Sequence, residues 1–261
     1  MKTQAEYSFQ VRSYECGPDG FVTLANVCNY LQEAASLHAE QLQFSKSNFQ
    51  AEGQDISWVL TRLRVSMTRL PRWEETIAVM TFPRRGRRIT ANRDFVLRVG
   101  AEQVGVATSE WMVIDLSSRK VVAVPPRVFA QADDEHPPVL GDAPFARLRW
   151  DCHGTAAAQT FTARRGDIDL NGHVNNVHYV EWLLETVPPP AGGPVDFEIA
   201  FHSETLAGDT VRAESAEVEP GVWAAHVAAP DGREHAVGRF RRPCPPPPRA
   251  GGRCADGRIM L

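Results

Sequence analysis

The sequence predicts an α+β protein made by internal duplication, in which each half holds a short strand, one long helix and a run of antiparallel strands. Three observations carry that prediction. Two helical periodicities each open a series of alternating apolar segments. The entry to each helix repeats, as Phe9-Gln10-Val11-Arg12 before the first and Phe161-Thr162-Ala163-Arg164 before the second. One helix per half is too few to separate that many strands into a parallel sheet, so the helix must lie against an antiparallel one.

The first helix is placed over Leu24 to Leu42, where Leu24, Val27, Leu31, Ala34 and Ala35 recur at helical spacing. Period-two alternation follows at Leu63, Val65 and Met67, at Ile77 and Val79, and at Phe95, Leu97 and Val99. Val104 to Asp115 is apolar enough for a central strand. The second helix begins near Asn175, carries Val177, Val180, Leu183 and Leu184 on one side, and must stop at Pro188. Alternation then returns at Phe197, Ile199 and Phe201, at Val211 to Val218, at Trp223 to Val227 and at Ala236 to Phe240. The halves are set at residues 1–130 and 150–242. The linker at 131–149 is drawn where Asp, Glu, Pro and Gly cluster, and the Pro- and Gly-rich tail 243–261 is expected to be disordered.

The net charge of −4 argues against generic nucleic-acid binding, which calls for a basic surplus. No stretch is apolar for long enough to span a bilayer, and Met1 to Tyr14 lacks the pattern of a secretory leader. The five cysteines are scattered and odd in number, without a Cys-x-x-Cys pair, which points to a reducing cytoplasm.

Chemistry concentrates in Asp167-Ile168-Asp169-Leu170-Asn171-Gly172-His173-Val174-Asn175-Asn176, at the start of the second helix. Backbone N–H groups at such an end favour negative charge and can stabilise an oxyanion forming on a carbonyl. Asp169 is a candidate base or nucleophile, and Asn171 and His173 are candidates to hold or polarise the carbonyl. Asp and Asn are also ordinary helix caps, and Asn175 alone would serve as one. Polar side chains at three alternate positions go beyond capping. Asp167-x-Asp169-x-Asn171-Gly172 also copies the first half of a calcium-binding loop, but the twelfth position, where a bidentate Glu belongs, is His178.

The run Asp169 to Asn176, followed by Tyr179, Trp182 and Glu185, closely resembles the signature of plant and bacterial acyl-ACP thioesterases. The resemblance continues in Phe201-His202-Ser203-Glu204, and in the first half in Arg12-Ser13-Tyr14-Glu15, Asn29 to Ala35, Trp58 to Arg62, Pro71-Arg72-Trp73 and Arg93-Asp94-Phe95. It implies a tandem double hot-dog fold with one active site, in the second half. It also implies hydrolysis of acyl-[acyl carrier protein] to free fatty acid without metal or organic cofactor. By the same resemblance Asp169 and Glu204 form the acid/base pair, while Asn171 and His173 position the thioester. Water attack and a transient acyl-aspartate both remain open.

Many plant members carry a cysteine after the glutamate; here it is Thr205, so no thiol nucleophile is available there. Strict alternation from Phe201 puts Glu204 on the face opposite Phe197, unless a bulge re-aims it. The first-half loop, Gly17-Pro18-Asp19-Gly20-Phe21, lacks the Asp-x-Asn-x-His pattern, so that half is assigned acyl-pocket walls.

The run Arg84-Arg85-Gly86-Arg87-Arg88 reads either as a solvated hairpin tip or as a docking patch for acidic acyl carrier protein. Trp58, Trp73, Trp111 and Trp182 are assigned to core or pocket wall. His38 and Met67 are assigned to core, with the border of the acyl tunnel as the alternative, and His178 and Glu181 are assigned as solvated residues or capping partners on the second helix. The rival functions are an acyl-CoA thioesterase, a non-catalytic acyl-binding hot-dog protein and a hot-dog dehydratase. Monomer and homodimer are both compatible with the tandem arrangement.

Overall fold

The computed structural model describes residues 3–133, 135–141, 145–152, 154, 157–188 and 192–242. The tail assigned to 243–261 and parts of the proposed linker lie outside these residues. The first half contains β1 (Ala5–Gln10), α1 (Leu24–Gln41), α2 (Lys46–Ala51), β2 (Ile56–Met67), β3 (Thr76–Arg84), β4 (Thr90–Val99), β5 (Glu102–Asp115), β6 (Val121–Val122) and α3 (Pro126–Phe129). The second contains β7 (Ala157–Thr162), α4 (Asn176–Leu184), β8 (Val195–Phe201), β9 (Thr210–Glu219), β10 (Val222–Ala228) and β11 (Glu234–Arg241).

The strands form one antiparallel sheet in the order β1-β3-β4-β5-β2-β8-β11-β10-β9-β7, with β6 added beside β5. Reading outward from the β2–β8 seam, the two halves repeat each other strand for strand, so the duplication expected from sequence is the symmetry of the sheet. At the seam Leu63 faces Ile199 and Val65 faces Phe197, all four nearly sealed from solvent. One apolar core runs through both halves beneath α1 and α4. A smaller cluster, Leu42, Phe44, Phe49, Val113, Val124 and Val128, sits under α2 and α3. Neither of those short helices was expected, because six and four residues give too few turns for a readable period.

Both long helices begin on capping side chains. Thr23 accepts from the Asn26 N–H at 3.2 Å, and Asn175 accepts from the Val177 N–H at 3.1 Å. Helix α4 ends at Leu184, short of Pro188, as the Thr186 hydroxyl takes the Leu183 carbonyl at 2.8 Å. Trp182 is buried and Trp58 and Trp111 are partly so, but Trp73 is 56% exposed and is corrected out of the core. It stands on the tight turn closed by the Glu75 N–H on the Arg72 carbonyl, which leaves its ring outside the sheet.

His38 and Met67 are core residues. His38, fully buried at the end of α1, meets the buried Arg93 guanidinium at 3.0 Å, and Thr81 completes the cluster at 3.1 Å. Burial, with the Arg93 charge adding to it, lowers the His38 pKa from 6.5 to about 4. The unfolded chain therefore takes up the proton first as pH falls, and stability present above about pH 6.5 is lost on the way to about pH 4. The loss expected from this group is about 2–3 kcal/mol. Chemical denaturation across that range checks it: His38→Gln should flatten the slope, and an unchanged slope would remove His38 as its source.

Candidate active site

The chain enters α4 through a short turn of 3-10 helix, Arg165–Asp167, whose buried Asp167 ties back to Arg164 at 3.0 Å. A tight loop follows. The Asp169 N–H donates to the His173 carbonyl at 2.8 Å, the Gly172 N–H donates to the Asp169 carbonyl at 3.0 Å, and Ile168 bridges Val174. Gly172 turns the loop at φ 84°, a conformation L side chains rarely adopt. The loop gathers the polar set around Asp169. Its carboxylate accepts from the Asn171 N–H at 2.7 Å, the Asn171 side-chain amide at 3.3 Å and the His173 N–H at 3.5 Å.

Glu204 arrives from another element. Strand β8 ends at Phe201, where the His202 and Ser203 N–H groups both turn onto the His235 carbonyl. Two successive N–H groups on one carbonyl break the register as a bulge does, so Glu204 leaves the strict alternation, and of the two readings the re-aimed side chain is the one this strand end supports. The Val174 N–H holds the Thr205 carbonyl at 2.9 Å, drawing this loop against the first. As a result Glu204 Oε2 lies 3.1 Å from His173 Nε2. All four residues singled out from sequence thus belong to two adjoining loops, in two contacting pairs: Asp169 with Asn171, and His173 with Glu204.

Two contributors carried no local sequence signal. His235, on β11, turns Nδ1 toward the Ser203 hydroxyl at 3.0 Å and the Thr205 hydroxyl at 3.1 Å, bracing the loop that bears Glu204. Arg119, in the turn between β5 and β6, forms an ion pair with Glu204 from the other half of the chain. Neither contact could be found by spacing, since each joins residues distant in sequence.

The corresponding loop of the first half has the same backbone and different side chains. The Gly17 N–H meets the Phe21 carbonyl, the Gly20 N–H meets the Gly17 carbonyl, Cys16 bridges Val22, and Gly20 turns at φ 76°. Gly17, Asp19 and Phe21 therefore stand where the second loop places Asp169, Asn171 and His173.

Beside α4 opens an apolar cleft. It is walled by Cys28 and Leu31 of α1, Leu60 and Trp111 of the first-half sheet, and Asn176 and Val177 of α4. Burial pushes the Cys28 thiol up to about 12, so it stays protonated and is no nucleophile at neutral pH.

Residues 2–132 match the model of the acyl-ACP thioesterase N-terminal domain, and residues 153–240 match that of the acyl-ACP thioesterase C-terminal domain. The chain belongs to the acyl-ACP thioesterase family. Among relatives of this family, the chloroplast palmitoyl-acyl carrier protein thioesterase of Cuphea hookeriana is 30% identical over 193 residues, covering 70% of this chain and 46% of that protein. Oleoyl-acyl carrier protein thioesterase 2 of Arabidopsis thaliana is 29% identical over 200 residues, covering 69% and 53%. The chain thus spans about half the length of the curated relatives it matches. In fold it is similar to an acyl-ACP thioesterase of Bacteroides thetaiotaomicron, with a TM-score of 0.80, 23% identity and coverage of 92% of this chain and 97% of that one. The 12:0-ACP thioesterase of Umbellularia californica gives a TM-score of 0.80, 24% identity and coverage of 92% and 96%. The architecture is the tandem double hot dog of this thioesterase family. Among the described residues no cluster of metal-ligating side chains occurs, and no helix is long and apolar enough to cross a membrane.

Proposed function

We propose that this chain hydrolyses acyl-[acyl carrier protein], releasing the free fatty acid and the carrier thiol, with Asp169, Asn171, His173 and Glu204 as its catalytic set. The carrying observation is the meeting of the His173–Glu204 pair with the Asp169–Asn171 loop at the start of α4, the helix that also walls an apolar cleft. The apolar lining of the cleft is of the chemistry a hydrocarbon chain would meet, and the loops supply hydrogen-bond donors and carboxylates for a thioester.

In the reaction, a water proton passes to a carboxylate as the water oxygen bonds to the thioester carbon. The carbonyl oxygen gains negative charge near the start of α4, where N–H groups favour it. Collapse of that intermediate breaks the C–S bond, and the departing sulfur takes a proton. Asn171 and His173 hold the carbonyl between these steps. The test is thiol release from a panel of acyl-ACPs by the wild-type chain and by Glu204→Gln. Turnover that collapses in the variant is expected. Folded wild-type protein that binds acyl-ACP without turning it over would favour the non-catalytic reading.

The carrier would be met in part by the arginine run. Arg84 is corrected out of this patch: it is mostly enclosed, lies 3.7 Å from the buried Asp94 and donates to the His136 carbonyl. Arg85 is exposed but reaches the Phe129 carbonyl at 3.5 Å. Arg87 and Arg88 are exposed on the hairpin connection, beside Gly86, where a Cβ would come within 2.1 Å of the Thr90 carbonyl oxygen. The Val124 N–H bonds to the Arg88 carbonyl at 3.1 Å, joining this connection to the segment that follows Arg119. Charge reversal by Arg87→Glu with Arg88→Glu is expected to raise KM for acyl-ACP about five- to tenfold while changing KM for acyl-CoA by less than about twofold. Equal effects on both substrates would make these arginines an ordinary solvated tip and would favour acyl-CoA as a substrate of equal standing.

A further inference from the structure

We infer that Arg119, supplied by the half of the chain without the catalytic loop, is a positioning residue that holds Glu204 in register with His173. The inference rests on the hydrolytic reading above and extends it to a residue outside the loop that carries Asp169.

The geometry is specific. Arg119 ends the turn that joins β5 to β6, and an arginine is an unexpected occupant. Its φ of 58° lies in the left-handed region, where glycine or asparagine is the unstrained choice. The turn around it is firmly built. Asp115 Oδ1 accepts from the Ser118 N–H and hydroxyl, each at 2.7 Å, the Arg119 N–H donates to the Asp115 carbonyl at 2.9 Å, and the Leu116 N–H donates to the Asp55 carbonyl at 2.8 Å. That frame holds the Arg119 backbone, and from it the guanidinium reaches Glu204.

Stability does not account for the pair. Both side chains are about half exposed, at 49% and 45%, a setting in which ion pairs contribute little to folding. A strained backbone position is thus occupied by a residue whose folding return is small, a pattern found where the side chain has another task. Glu204 needs such a partner. It lies past the end of β8 and its carboxylate is otherwise engaged by His173 alone among the described contacts, while His235 braces only the backbone and hydroxyls beside it. With Arg119 and His173 both on Oε2, the carboxylate is held between a residue of each half, and Oε1 takes part in neither contact.

The test compares wild type, Arg119→Gly, Arg119→Lys and Glu204→Gln on the acyl-ACP that wild type turns over fastest. Arg119→Gly relieves the left-handed strain, so its melting temperature should equal or exceed that of wild type. Its kcat should nevertheless fall about tenfold or more, with KM changed less than about twofold, and Arg119→Lys should recover part of the loss. Unchanged kcat in Arg119→Gly alongside an inactive Glu204→Gln would overturn the inference and leave the hydrolytic reading intact. A raised KM with unchanged kcat would also overturn it, making Arg119 a carrier contact. Full activity of Glu204→Gln would instead remove Glu204 from the catalytic set and undercut the reading on which the inference stands.

Discussion

Replacing Asp169 by Asn is expected to lower kcat for acyl-ACP hydrolysis about a thousandfold while leaving the melting temperature within about 2 °C of wild type. The substitution removes a carboxylate and keeps an oxygen. Asn can still accept from the Asn171 and His173 N–H groups that Asp169 Oδ1 now engages, so the loop keeps its shape. What it cannot do is take a proton from water or attack the thioester carbon. Asp169 therefore separates chemistry from architecture more cleanly than its neighbours, and the measurement is steady-state thiol release alongside thermal unfolding. Loss of activity together with a large fall in melting temperature would show that the loop had collapsed. Retained activity would remove Asp169 from the catalytic set.

The second large effect concerns the fold. Phe197→Ala is expected to cost about 3–5 kcal/mol, the range for truncating a fully enclosed aromatic. At about 2–4 °C per kcal/mol for a chain of this size, the melting temperature should fall by about 6–20 °C. Phe197 is 1% exposed, faces Val65 across the β2–β8 seam and stacks on Phe240 at 4.6 Å. Nothing nearby can close the space cheaply, since Ile199 and Val195 of the same strand are themselves sealed. Differential scanning calorimetry checks both size and form. Because the seam belongs to both halves, a single lowered transition is expected; two separated transitions would show that the halves hold together independently of it.

The sheet and its duplication were readable because several strands alternate along part of their length. Residues such as Ile77 and Val79, or Phe197 and Ile199, alternate as one buried face demands, and each helix carries a capping residue at its start. The candidate site was readable for a different reason: Asp169, Asn171 and His173 are adjacent in sequence because one tight loop presents all three. Glu204 needed the family resemblance, and its orientation stayed open between two readings since an alternation rule cannot say where a strand ends or bulges. Arg119 and His235 were out of reach altogether. A charged residue in a polar turn and a histidine in a strand look ordinary until the fold brings residue 119 to 204, and residue 235 to 203 and 205. Arg84 erred in the opposite direction, because a cation next to a charged hairpin tip gives no sign that Asp94 waits behind it.

The pairing of β2 with β8 inside one polypeptide has a consequence for how such a protein can change. In an assembly of two identical chains, any substitution appears twice, so a residue useful at one copy of the loop is forced upon the other. Joining the copies in tandem lifts that constraint. Gly17 and Phe21 can stand where the other loop keeps Asp169 and His173, and Arg119 can be retained by one half for the benefit of the other. The cost of this freedom is redundancy: the chain has one such loop, so a single lesion in it has no second copy to compensate.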